Sequence, residues 1–184
     1  QKREIILVAE KVSDLGLVTG SSGNISARLP GRDLSFAITS MGSQFDNMTE
    51  GDIAVVDYNL LPVEKELTPS SESLLHKMIY ENRSQVRGII HTHPVYSSII
   101  SVSQIEIPPI VDEMVINLGG TIRVSKYAPP ASIELGDNVC QALSGRSSAI
   151  ISNHGLISTG TDLKSALDAS MLTEKIAKIY VYSS

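Results

Sequence analysis

The stretch Arg87-Gly-Ile-Ile-His-Thr-His-Pro94 restricts what this chain can fold into more than any other. An apolar run ending in two histidines two residues apart reads as a buried strand, and residues i and i+2 of a strand point to the same side of a sheet. Pro94 cannot donate to a strand ladder, so the strand stops there and leaves both imidazoles at a sheet end, where open sites are built. A second stretch repeats the device: Ala149-Ile-Ile-Ser-Asn-His154-Gly155 is a short apolar strand that delivers a histidine and then a glycine. Three neutral imidazoles with a carboxylate or water make a catalytic zinc arrangement. A lone histidine in a sheet is more often a packed core residue. The second strand-end histidine and a carboxylate upstream shift the reading towards metal ligation.

At 184 residues the chain suits a single domain, 1–184, large enough to bury a substantial core. Hydrophobic residues make up 42% and charged residues 19%, a globular composition, and no apolar run is long enough to span a membrane. The net charge is −5 with no cluster of Lys and Arg, which argues against a nucleic-acid surface and requires any anionic ligand to be held locally. The single Cys140 excludes an internal disulfide and lies in an amphipathic segment, so it reads as a packed thiol in a cytoplasmic protein. The sequence ends inside a helical pattern, and the expectation is that a C-terminal tail follows Ser184 in the full protein.

Periodicity predicts helices over residues 5–17, 95–103, 132–143 and 162–182, and another opened by Thr68-Pro-Ser-Ser71 that runs to about residue 82 with Glu72 in its first turn. Strands are predicted over 25–29, 36–39, 53–56, 121–124 and 149–152, besides the histidine strand. The early short strands read as an antiparallel meander, and helices alternate with strands from about residue 68. A single layered α/β domain is the result.

Four pieces now stand in order: a Gly23-Asn24 turn, a Ser70-Ser71-Glu72 helix start, His91-Thr92-His93, and Asn153-His154-Gly155. In this order and spacing they closely resemble the class II aldolase/adducin family. The resemblance implies a three-layer α/β/α sandwich around a central, largely antiparallel sheet, and a homotetramer whose active sites lie between subunits. It implies that His91, His93 and His154 hold zinc and that Glu72 takes the position of the carboxylate that binds the metal or handles protons. The turns Gly23-Asn24, Met41-Gly42 and Ser70-Ser71 correspond to the family's phosphate-binding turns, and backbone N–H groups there suit an anion. The fourth histidine, His76, lies one helical turn after Glu72 and is assigned to packing or to supporting the ligands.

The implied reaction is cleavage of a small phosphorylated ketose to dihydroxyacetone phosphate and an aldehyde. A Lewis acid without redox chemistry suits the carbonyl oxygen as it gains charge, and a carboxylate beside it suits the proton transfer at carbon. The chain departs from the family's aldolase pattern where a tyrosine follows the proline-rich turn; Glu113 stands there and reads as a second acid/base group. Dehydration of a methylthioribulose-like phosphate, or epimerisation, is the alternative on the same scaffold. A non-catalytic adducin-like module is disfavoured, since it need not keep three histidines and the glutamate.

Overall fold

The computed structural model describes residues 1–31, 34–64 and 67–183, so Ser184 lies outside it. Its strands are β1 (Asn24–Arg28), β2 (Ser35–Thr39), β3 (Ile53–Asp57), β4 (Pro62–Glu64), β5 (Gly88–Thr92), β6 (Ser148–Ile151) and β7 (Gly155–Gly160). Its α-helices are α1 (Lys2–Asp14), α2 (Ser73–Asn82), α3 (Val95–Ser103), α4 (Asp112–Leu118), α5 (Ile133–Ala142) and α6 (Leu163–Ser183). The strands form one sheet in the order β4-β3-β2-β1-β5-β7-β6, and its ladders are antiparallel.

Strand alternation divides the core into two sides. Phe36, Ile38, Ala54, Val56, Ile89, Ile151 and Ile157 pack against Leu75 and Ile79 of α2 and Leu135 and Val139 of α5. Their chain neighbours Ala37, Ile53, Val55 and Ile90 pack against α1 and the start of α6, and Ile150 and Leu156 against α3, α4 and the rest of α6. The result is a three-layer α/β/α sandwich around an antiparallel sheet.

Besides the shifted first helix, α1, and the unpredicted helix α4, the structure departs from the periodicity reading at four places that bear on the sheet and the site. Residues 121–124 do not form a strand of the sheet: Ile122 bridges Ile107 and Val124 bridges Ile150 of the edge strand, each in isolation. Residues 155–160 form the inner strand β7, although Ser158 and Thr159 give it no apolar alternation. Residues 62–64 add an exposed edge strand, where Pro62 costs no inner ladder bond. Finally, α2 begins only at Ser73, because the Ser40–Pro69 bridge keeps the chain extended just before it, so Glu72 is the N-cap residue and not a first-turn residue.

Candidate metal centre

The end of β5 and the hairpin between β6 and β7 bring three histidines together. His91 is the penultimate residue of β5, His93 follows the strand, and His154 lies in the 152–154 turn, where Asn153 takes a left-handed φ of 54°. Their ring centroids are 4.7, 4.7 and 4.9 Å apart, and one ring nitrogen from each lies within 4.8 Å of the others. Two glycines permit this crowding. A Cβ on Gly155 would stand 2.5 Å from His93 Cδ2, and one on Gly23 would stand 2.5 Å from the His91 carbonyl oxygen.

The hydrogen-bond chemistry of the centre fits a divalent cation. His91 Nδ1 is 2.8 Å from the Leu156 carbonyl oxygen, which can only accept, so Nδ1 carries the proton and Nε2 presents a lone pair. That Nε2 faces His93 Nε2 at 2.9 Å and Glu72 Oε2 at 3.1 Å. The other carboxylate oxygen, Glu72 Oε1, is buried without a hydrogen-bond partner among the described residues, 3.4 Å from His154 Nε2. An orphaned carboxylate oxygen among imidazole lone pairs is the donor set that zinc-type ions take.

Electrostatics keeps these groups in ligating form. Burial, reinforced by His91 and His154, pushes His93 down to about 4, and burial followed by His91 lowers His154 in the same direction. Burial alone would raise Glu72; His91, His154 and the Asn24 amide outweigh it and hold the carboxyl below its usual range. Asn24 Nδ2 donates to Glu72 Oε2 at 2.7 Å, so the side chain of the first turn residue is tied to the carboxylate.

The three small-residue turns lie side by side at this end of α2. Ser70 N–H donates to the Thr39 carbonyl and Met41 N–H to that of Thr68, while Ile25 N–H donates to Thr39 Oγ1. These bonds stitch 23–24, 41–42 and 70–71 together and also commit the amides of Met41 and Ser70. Ser70 is buried, and its Oγ accepts the Glu72 N–H at 3.3 Å; Ser71, Met41 and Gly42 are exposed. Glu113 lies elsewhere. It is exposed on α4, pairs with Lys175 at 2.6 Å, and lines a cleft with Arg83 and Gly160. Gly160 pairs with Gly88, the start of β5, so within one chain Glu113 stands at the far end of that strand from the histidines.

The family described as Class II Aldolase and Adducin N-terminal domain matches residues 3–181. The chain belongs to the class II aldolase and adducin family. L-fuculose phosphate aldolase of Escherichia coli (strain K12) is 31% identical over 179 residues, 97% of this chain and 81% of that protein. The 5-methylthioribulose-1-phosphate/5-deoxyribulose-1-phosphate aldolase of Rhodospirillum rubrum is 31% identical over 180 residues, 96% of this chain and 78% of its own. A solved structure of L-fuculose 1-phosphate aldolase matches with a TM-score of 0.93 at 32% identity, covering 99% of this chain and 85% of that one. With these relatives, this member of the family is a metal-dependent class II aldolase.

Of two further features beside these residues, the first lies outside the motifs read from the sequence, and the second is His76, which the sequence assigns to packing or to supporting the ligands. Tyr127, Ala128 and Pro130 line a cleft with Asn153 and His154, a placement that the Pro-rich loop did not signal. Beneath Glu72, His76 is fully buried and bonded through Nδ1 to Ser26 Oγ at 2.6 Å. Among the described residues no helix is long and apolar enough to cross a membrane.

Proposed function

We propose that the protein cleaves a ketose 1-phosphate of the fuculose-phosphate kind to dihydroxyacetone phosphate and an aldehyde, with zinc held by His91, His93, His154 and Glu72. The observation that carries this reading is the close group of His91, His93 and His154, beside which Glu72 places one oxygen 3.1 Å from His91 Nε2 and the other 3.4 Å from His154 Nε2. When bound, the ion supplies Lewis-acid stabilisation for negative charge on the substrate's carbonyl oxygen. Glu72 gives a proton to C3 after the C3–C4 bond breaks and takes it back in the synthetic direction. Its burial, its negative charge and the Asn24 bond that orients it suit that work. Gly23, Asn24, Met41, Gly42, Ser70 and Ser71 line the phosphate cradle; with two of the amides committed, the donors come from Gly42, Ser71 and the hydroxyls.

Glu113 enters this scheme as the base for the C4 hydroxyl, supplied by a neighbouring subunit of a homotetramer. Its distance from the histidines of its own chain argues for that source, as does an exposed apolar row, Val95, Ile99 and Val102, on the helix that follows His93. The half-buried Cys140 thiol suits a cytoplasmic enzyme. A second reading keeps the site and changes the substrate to a methylthioribulose-like phosphate that is cleaved or dehydrated, or has the sugar epimerised; the Rhodospirillum relative, an aldolase, favours the cleavage form, and the carboxylate at Glu113 the dehydration form. The test is to incubate zinc-loaded protein with a panel of ketose phosphates and assay separately for dihydroxyacetone phosphate, water loss and epimer. Dihydroxyacetone phosphate from a fuculose-type phosphate is the expected product; dihydroxyacetone phosphate from the methylthioribulose-type phosphate alone, or water loss or epimer in its place, would replace the first reading by the second.

A further inference from the structure

The face of β1 that meets α2 is polar along its whole length. Asn24, Ser26 and Arg28 occupy alternate strand positions, and the N-cap Glu72 is followed at four-residue steps by His76 and Tyr80 of α2. Two strand residues advance ~6.6–6.8 Å and four helical residues ~6 Å, so the two rows keep step. Asn24 bonds Glu72, Ser26 Oγ bonds both His76 Nδ1 at 2.6 Å and the Tyr80 hydroxyl at 2.8 Å, and Arg28 bonds the Tyr80 carbonyl. Ser26, His76 and Tyr80 are all buried.

Proton counting gives this chain a direction. The Tyr80 phenol stays protonated because burial raises its pKa, and among the described residues its hydroxyl has Ser26 Oγ as its hydrogen-bond partner. Tyr80 therefore donates to Ser26, Ser26 donates to His76 Nδ1, and the imidazole proton sits on Nε2. The reverse direction would strand two buried atoms, the Tyr80 proton and the Nε2 lone pair. In the assigned direction every proton has an acceptor except His76 Nε2–H, which is buried, has no partner among the described residues, and lies in the electrostatic field of Glu72 and His91. A buried imidazole N–H without an acceptor is costly, so this donor marks a place where an acceptor is taken.

We propose that His76 is a positioning residue for Glu72: the Tyr80–Ser26 hydroxyl pair holds it as the Nε2–H tautomer, and that N–H orients the carboxylate through one bridging water. The proposal rests on reading Glu72 as the group that moves the C3 proton. His76 sits one helical turn after Glu72 on the same face, close enough to interact electrostatically with both Glu72 and His91. It fixes the aim of the base without touching the substrate. Its tautomer is set from the β1 side by residues that touch neither metal nor substrate.

Two measurements on the zinc-loaded protein test this. Two-bond 15N–1H correlation spectra after 15N-histidine labelling read the tautomer in the wild type; Nε2–H at His76 is expected, with mixed tautomers in Tyr80→Phe, and Nδ1–H in the wild type would overturn the proposal. Exchange of a C3 hydrogen of dihydroxyacetone phosphate in D2O then reads the proton transfer without needing the aldehyde. His76→Leu is expected to lower the kcat of exchange by about 10–100-fold, the rate equivalent of one hydrogen bond to a charged group, with KM and zinc content unchanged. His76→Gln, which places an amide N–H where Nε2–H stood, recovers most of it. If Glu72→Gln abolishes exchange while folded, zinc-loaded His76→Leu matches wild type, this inference alone fails. If Glu72→Gln also exchanges at the wild-type rate, the reading of Glu72 as the base fails with it. Should His76→Leu not fold, the tautomer and the Gln and Phe variants still decide.

Discussion

At the scale of single residues, the proposed mechanism asks Glu72 to serve both as an acceptor-rich partner of the histidines and as an aimed base. Glu72→Gln keeps the shape and the Asn24 contact on one oxygen but removes the charge, so turnover is expected to fall roughly 10²–10⁴-fold with little change in folding stability. Unchanged turnover would take Glu72 out of the mechanism. His91→Ala and His154→Ala are each expected to lose the metal by elemental analysis, and full occupancy at wild-type affinity in both would make the histidines structural. The histidine strand was legible because period-two spacing and a closing proline are local signals. The side-chain partner of Asn24 was not, because a turn residue's hydrogen bond to a carboxylate on a helix 48 positions away leaves no trace in local pattern. Glu113 illustrates the same limit: position along the chain gave a candidate acid, while its pairing with Lys175 is a tertiary fact.

At the scale of elements, the ligand geometry depends on how closely the β6–β7 hairpin approaches the end of β5. Gly155→Ala puts a methyl 2.5 Å from both His93 Cδ2 and the Thr92 carbonyl oxygen, so something must shift. Overpacking of this kind costs ~1–3 kcal/mol, and because His93 is the movable neighbour, zinc affinity is expected to drop about 10-fold or more while the fold persists. Competition with a chromophoric chelator measures it; wild-type affinity would mean that the hairpin does not set the His93 position. Gly23 is constrained likewise, by a φ of +117° and the His91 carbonyl, so a side chain there would disturb the centre before it obstructed any phosphate. The missed strand β7 has a physical cause: its inward positions carry Ser158 and Thr159, buried hydroxyls that hide the alternation. The strand read at residues 121–124 failed for the converse reason, since β-prone residues there meet the edge strand at one bridge only.

At the scale of the whole molecule, His76, His93 and His154, in or near one buried seam, tie stability to pH. His76 is pushed down to about 3 and His93 to about 4, chiefly by burial, against an ordinary value of 6.5. A depressed folded pKa means the unfolded chain binds the proton first, so stability is fully present above about 6.5 and is lost progressively as pH falls from there to the folded values of about 4 and about 3. Urea melts of the metal-free protein are expected to weaken over that window by up to ~1.4 kcal/mol per pH unit for each titrating imidazole, and a flat profile between pH 7 and 4.5 would contradict the burial assignment. The sandwich itself was readable because alternation and helical period agree over most of the chain, whereas the proposed subunit assembly, on which the proposed role of Glu113 depends, would use exposed faces such as Val95, Ile99 and Val102, whose partner no local pattern names. The central claim is that the histidine-held ion and Glu72 together move a proton at the carbon beside a phosphorylated ketone. Incubating the zinc-loaded protein with dihydroxyacetone phosphate in D2O and following its C3 hydrogens by proton NMR tests that claim without knowledge of the aldehyde. The account predicts that one of the two hydrogens exchanges, and that chelation or Glu72→Gln stops it; no exchange at full zinc occupancy, or exchange that survives Glu72→Gln, would contradict it.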